Sequence, residues 1–101
     1  MTVLNTITFK QLRALDAVVK TGSISQSAQL LGLTPPAVHT QLKLLEENFG
    51  CALVNRTRAG HFEATVAGGA LLDAHETSLS ALTKAVGQID AMRKFVGDDI
   101  E

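Results

Sequence analysis

The sequence predicts a mainly α fold: three short helices around one core, a two-stranded β extension, and one long terminal helix. Three observations carry that prediction. Apolar residues recur at steps of three and four through most of the chain. Hydroxyl residues stand where helices would start and glycines where they would stop, as Thr8 with Gly22, Ser23 with Gly32, and Thr34 with Gly50. Between Gly50 and Thr65 the period lapses, and Ala59-Gly60 separates two short extended stretches.

A length of 101 residues suits about one domain with an appendage. No apolar run approaches membrane-spanning length. The opening Met-Thr-Val-Leu-Asn-Thr has neither the basic nor the apolar segment of a signal peptide. Cys51 is the single cysteine, so no internal disulfide and no metal cluster is expected; it reads as a small buried hydrophobe. A reducing cytoplasm is the expected location. The net charge of −1 hides a division. Through Ala64 there are six basic residues against four acids, and from Thr65 onward three against six. Such a mildly basic first part binds a polyanion only through geometry or through two copies, not through bulk charge.

Taken in order, the chain opens with a short leader, and Thr8 with Gln11 then forms a capping box. Phe9, Leu12, Leu15 and Val19 make the inward face of the first helix, which Gly22 ends. Ser23 and Gln26 form a second capping box, and a short helix turns Ile24, Ala28 and Leu31 inward. Ala28 is small where two helices must approach. Gly32-Leu33-Thr34 is a tight turn into the next helix, and two helices so joined make a helix-turn-helix.

That next helix is Thr34 to Gly50. Thr34 caps it, and Pro35 and Pro36 occupy its first turn, where a missing N–H costs nothing. At about 100° per residue, Val38, Leu42, Leu45 and Phe49 fall on one side, with Pro36, Thr40 and Lys43 opposite and His39 on the shoulder. The outward N-terminal face is small, polar and singly basic, which suits a DNA major groove.

Residues 52–58 read as an extended strand, and 61–64 as its antiparallel return, giving a two-stranded wing over 53–64 with Arg56 and Arg58 at its tip. Thr65 caps a final helix running to about Val96. Along it Leu72, His75, Leu79, Leu82, Val86, Ile89, Arg93 and Val96 form a heptad seam with two polar interruptions. Such a helix spans roughly 48 Å, more than a small winged domain can cover, so a second copy is the expected partner. The division is therefore residues 1–64 as the winged helix-turn-helix, 65–96 as the dimerisation helix, and 97–101 as the start of a linker.

In this order and spacing the residues resemble the LysR-type transcriptional regulators. The marks are Phe9-Lys-Gln-Leu-Arg13, Thr21-Gly-Ser-Ile-Ser25, Ala28 with Leu31, and Thr34-Pro-Pro-Ala-Val38. They continue with Leu45-Glu46, Phe49-Gly50, Leu53, Arg56, and Thr65 followed by Ala67-Gly68. The resemblance implies an N-terminal winged helix-turn-helix, a linker helix that pairs subunits, and a C-terminal effector-binding domain beyond this chain. A small-molecule effector would bind that domain, so no cofactor is expected here. Tetramers in the full-length protein and contact with RNA polymerase are further implied. Departures touch the base code: Pro35 stands where members often carry Gln, His39 where Ser is common, and Thr40 where Arg is common. The Thr-Pro-Pro-Ala-Val run is similar to members that control carbon-fixation operons.

The expected mechanism is binding alone. His39, Thr40 and Lys43 would approach base edges or nearby phosphates, and Pro35 and Pro36 a thymine methyl. Helix-start amides with the Ser23 and Thr34 hydroxyls would hold phosphate oxygens, while Arg56 and Arg58 reach the backbone or minor groove. Two-fold related protomers would meet half-sites about 34 Å apart, or a multiple, on a pseudo-palindromic duplex. The dimer interface would comprise Leu72, His75, Leu79, Leu82, Val86, Ile89 and Val96. Duller readings stand beside these: His39 and Lys43 as solvated surface residues, His61 and His75 as surface or seam residues rather than ligands. Two other functions stay open from the residues, a molybdate-responsive winged regulator and a helical dimerisation module that has lost DNA contact. The serines have no Asp or His partner pattern, so no catalytic residue and no metal site is expected.

Overall fold

The computed structural model describes residues 2–100, the side chains of Thr2, Leu4 and residues 96–100 excepted. Its elements are α1 (Thr2–Thr6), α2 (Phe9–Thr21), α3 (Ile24–Leu31), α4 (Pro35–Phe49), β1 (Val54–Arg56), β2 (Phe62–Ala64) and α5 (Val66–Ile100). Among the described residues no helix is long and apolar enough to cross a membrane.

Capping decides the helix boundaries. The Thr8 hydroxyl accepts the Gln11 N–H at 3.1 Å, and the Gln11 side chain accepts the Thr8 N–H at 3.1 Å, so both halves of the box form. At Ser23 only one half forms: its hydroxyl accepts the Gln26 N–H at 3.1 Å, while the Ser23 N–H donates to the Thr21 hydroxyl at 3.2 Å. Thr21 takes that donor. Gly22, Gly32 and Gly50 end the three helices in the left-handed region.

The core gathers Ala14, Leu15 and Val18 of α2, Ala28 of α3, Val38, Leu42 and Leu45 of α4, and Leu53. Each fully buried Leu or Val contributes about 1.5–3 kcal/mol. The inward faces of α3 and α4 are close to those expected, although Phe49 is left exposed. On α2 the buried line is rotated: Gln11, Ala14, Leu15, Ala17 and Val18 are buried, Leu12 and Val19 only partly. Small alanines let α3 and α4 close on α2, and Gln11 enters because its carbonyl is already bonded. Phe9 is 44% exposed and lays its ring against His75 instead, with centroids 6.0 Å apart.

The presumed leader is the helix α1. It docks on α4, where the Asn48 side-chain amide donates to the Thr6 carbonyl at 3.4 Å, and Ile7 packs against the core. Cys51, expected inside, is exposed, because the backbone leaving Gly50 turns outward before Leu53 plunges in. The wing strands are shorter than read, paired Val54 to Ala64, Asn55 to Glu63 and Arg56 to Phe62. Residues Thr57 to His61 close the tip, with Gly60 at φ +85° and the Thr57 N–H donating to the His61 carbonyl at 2.7 Å.

At the foot of α5 the Thr65 hydroxyl accepts the Gly68 N–H at 3.0 Å and donates to the Ala52 carbonyl at 2.9 Å. The helix then runs through Gly97 to Ile100 rather than ending near Val96. Its first turns pack on α2: Leu71 and Leu72 join the core and His75 is 3% exposed. His75 is therefore enclosed within its own protomer, a correction to its place on a free seam, because α2 already covers that level of the helix. Val96 carries a side chain outside the described set.

Gly68 is fixed by space. A Cβ there would stand 2.0 Å from the Leu53 carbonyl oxygen, whereas one on Gly69 would meet nothing within 4 Å. Gly68→Ala is expected to lower unfolding free energy by at least about 2 kcal/mol through this clash. Gly69→Ala, one residue on, should be neutral or stabilising by about 0.5–1 kcal/mol. Chemical denaturation of the pair checks both, and equal effects would contradict the packing described.

Candidate nucleic-acid interface

The outward face of α4 follows from what its other face must do. With Val38, Leu42 and Leu45 at 4% exposure or less, helical geometry leaves Pro36, Thr40 and Lys43 on the solvent side. Thr34, Pro35, Pro36, His39, Thr40 and Lys43 are all exposed. The Thr34 hydroxyl accepts the Ala37 N–H at 3.2 Å, which leaves its own hydrogen free to donate outward. Ser23 is half-buried at the start of α3 and likewise accepts from a backbone amide. Two helix N-termini thus open at the surface, each with the positive end of a helix dipole; α3 starts with the amides of Ile24 and Ser25, whereas α4 starts with two prolines that have no N–H.

No acid stands on α4 before Glu46. Glu46 itself turns back, its carboxylate accepting the Leu53 N–H at 2.8 Å and the Val54 N–H at 3.4 Å. Its charge is thus spent on holding the wing. Among the described residues no carboxylate lies within 4.0 Å of Lys43, Arg56 or Arg58, the ion pairs being Asp16 with Lys20 and Asp90 with Arg93. Lys43 borders the same shallow depression as Cys51 and Ala52, where the chain leaves α4 for the wing.

Arg56 and Arg58 are both exposed on the wing. Arg56 is held from below: its guanidinium carbon sits 4.9 Å from the centroid of the Phe62 ring, directly across the strand pair. This stacking leaves the guanidinium edge, with its N–H donors, facing outward. The wing is tied to the helices at the tip-side end of β2, where the Phe62 N–H donates to the Gly22 carbonyl at 3.0 Å. Gly22 has φ +74°, and a Cβ there would stand 3.0 Å from His61 Nδ1, so its bareness serves both the turn and the wing.

All nine residues expected at the interface are surface groups or helix caps, carried by the starts of α3 and α4 and by the wing. The sequence reading missed the platform under Arg56 and the wing anchor Glu46. An aromatic opposite an arginine in a hairpin was legible only once the register was known. Groups of three or more His, Cys, Asp or Glu residues able to hold a metal are absent among the described residues.

The family model for the bacterial regulatory helix-turn-helix protein, lysR family, matches residues 9–69. The chain belongs to this family. It is 44% identical over 93 residues to the HTH-type transcriptional regulator CbbR of Cereibacter sphaeroides, covering 91% of this chain and 30% of that protein. It is 33% identical over 88 residues to the small neutral protease regulatory protein of Streptomyces coelicolor, covering 87% and 28%. The chain therefore spans less than a third of the length of these relatives. Among solved structures, the CbnR DNA-binding domain in complex with DNA matches with a TM-score of 0.76 at 27% identity, over 85% of this chain and 98% of that one. ArgP from Mycobacterium tuberculosis matches with a TM-score of 0.72 at 36% identity, over 79% and 30%. LysR membership decides against the molybdate-responsive type.

The Glu46 anchor is testable in this LysR-family domain. Glu46→Ala leaves two amides at the wing root without their acceptor and is expected to cost about 1.5–3 kcal/mol. Amide exchange should quicken at Leu53 and Val54 while that of Leu15 and Leu45 in the core changes least. Unchanged exchange at the wing root would contradict the anchor.

Proposed function

We propose that this chain is the DNA-reading part of a LysR-type transcriptional regulator, binding a specific duplex as a homodimer. The observation that carries the reading is the face of α4: exposed, small, free of acids over its first half, and flanked by wing arginines that have no carboxylate within 4.0 Å among the described residues. An α-helix presenting such a face enters the major groove, where Thr40, His39 and Lys43 meet base edges and the prolines meet a thymine methyl. The amides at the start of α3, with the Ser23 and Thr34 hydroxyls, take phosphates on one side, and Arg56 and Arg58 take the backbone or minor groove on the other. With Pro35 in place of an amide side chain, readout there rests on shape and apolar contact.

Dimerisation supplies what the modest charge cannot. Beyond Ser78, α5 exposes Leu79 (41%), Leu82 (46%), Val86 (60%) and Ile89 (55%), a stripe that water would otherwise hydrate. The seam is symmetric about Lys84: under an antiparallel two-fold Leu79 meets Ile89 and Leu82 meets Val86. A parallel pair would bring both α2 helices, which lie on the seam face at Leu72 and His75, to the same level, where they collide. The antiparallel sense places the two winged heads at opposite ends of the paired rods, facing successive turns of a pseudo-palindromic operator. Effector binding, tetramer formation and contact with RNA polymerase belong in this reading to the remainder of a longer cytoplasmic protein, and no bond is made or broken.

Lys43→Ala is expected to weaken operator binding. Arg56→Ala should weaken it with little regard to sequence and flatten the slope of log K against log salt by about 0.9. Titrations across a salt series read this directly, and an unchanged slope removes Arg56 from the phosphate contacts. Leu82→Glu or Ile89→Glu should give folded monomers in sedimentation; intact dimers would move the interface elsewhere.

A further inference from the structure

His61 joins the wing that carries Arg56 and Arg58 to the turn that carries Ser23. Its backbone is pinned on every side. The His61 N–H donates to the Thr57 hydroxyl at 3.2 Å, and its carbonyl accepts the Thr57 N–H at 2.7 Å. The next N–H, that of Phe62, donates to the Gly22 carbonyl at 3.0 Å. The imidazole occupies the space that a side chain on Gly22 would need: a Cβ there would stand 3.0 Å from Nδ1 and 3.7 Å from Cγ. Ser23, the cap of α3, follows Gly22 directly. The ring therefore bridges from the wing to the foot of α3, and little conformational freedom remains to be lost when it meets a ligand.

The surroundings select the kind of ligand. His61 is exposed, and its ring nitrogens make no hydrogen bond among the described residues. No carboxylate lies within 4.0 Å of it among the described residues. Of the elements packed around it, α3 carries no charged residue. Towards its end α2 carries Asp16 and Lys20, which are paired with each other. The wing carries Arg56, Arg58 and Glu63, all exposed, so its cations outnumber its acids. Hydroxyls and cations with a histidine between them suit an anion, and the anion at this surface is the phosphate of a duplex.

We infer that His61 is a further DNA-contact residue, its imidazolium taking a backbone phosphate between those held by Ser23 and by the wing arginines. This rests on the duplex contacts proposed above and adds to them a dependence on pH. Histidine gains its charge as pH falls from about 8 to about 6. The charged ring neutralises one more phosphate and releases its counterion, so binding favours the protonated form. Affinity therefore rises as pH falls, one proton is taken up per contact, and the gain is independent of base sequence.

The test titrates the chain with a mixed-sequence duplex, which reads phosphate contacts apart from base contacts, over a salt series at about pH 8 and about pH 6. The slope of log K against log salt is expected to steepen by about 0.9 per protomer at the lower pH. His61→Gln should show the shallower slope at both pH values, and His61→Lys, which keeps a charge throughout, the steeper slope at both. His39→Gln should retain the parent's change. Recovery of the steep slope in His61→Lys separates loss of a contact from loss of the fold. A parent slope that ignores pH overturns the assignment and leaves DNA binding standing, as does a pH response that survives His61→Gln or a His61→Lys slope that stays shallow. A parent chain that binds no duplex at either pH brings down both.

Discussion

The Leu53 peptide is the joint on which the architecture turns. Its side chain is 1% exposed in the core, its N–H is held by the Glu46 carboxylate, and its carbonyl accepts the Thr65 N–H at 3.0 Å. Gly68 lies so close above that carbonyl that only a bare Cα fits. One residue therefore ties the end of α4, the root of the wing and the foot of α5. Because all three meet there, the tilt of the recognition helix, the position of the wing arginines and the exit direction of the rod are set together. A loose joint would decouple α4 and the wing from α5.

Of the four acids of the first part, Glu46 is engaged by backbone amides and Asp16 by Lys20, while Glu47 and Glu63 are exposed. Arg56 is braced by Phe62, and Lys43 stands clear on α4. A surface with so few cations gains specificity from where each one sits, since long-range attraction is small at net charge near zero.

The long helix has two lives along its length. Near Leu72 and His75 it is a wall of the head, covered by α2; past Ser78 it is a bare apolar rod. Periodicity treats these alike, because a heptad stripe records only that a face is to be covered, and not by what. The capping residues were read correctly for a similar reason in reverse. Thr8, Thr34 and Gly50 act on neighbours three to five residues away, and such local hydrogen bonds need no knowledge of the rest of the fold. Ser23 misled in part, since Thr21 competed for its amide.

From the chain alone came the helix-turn-helix, the wing, the outward polar face of α4 and the unpartnered rod. Each is written in spacing, in helix caps or in a lapse of period, all of them short-range signals. Only the tertiary structure decided that the leader is a helix docked by Asn48, that Cys51 points out and that His75 points in. It alone set Phe62 beneath Arg56, Glu46 on the wing amides and Gly68 against Leu53. Those outcomes depend on which of several compatible faces meet in space, and packing chooses among them through volumes and hydrogen bonds between residues far apart in sequence.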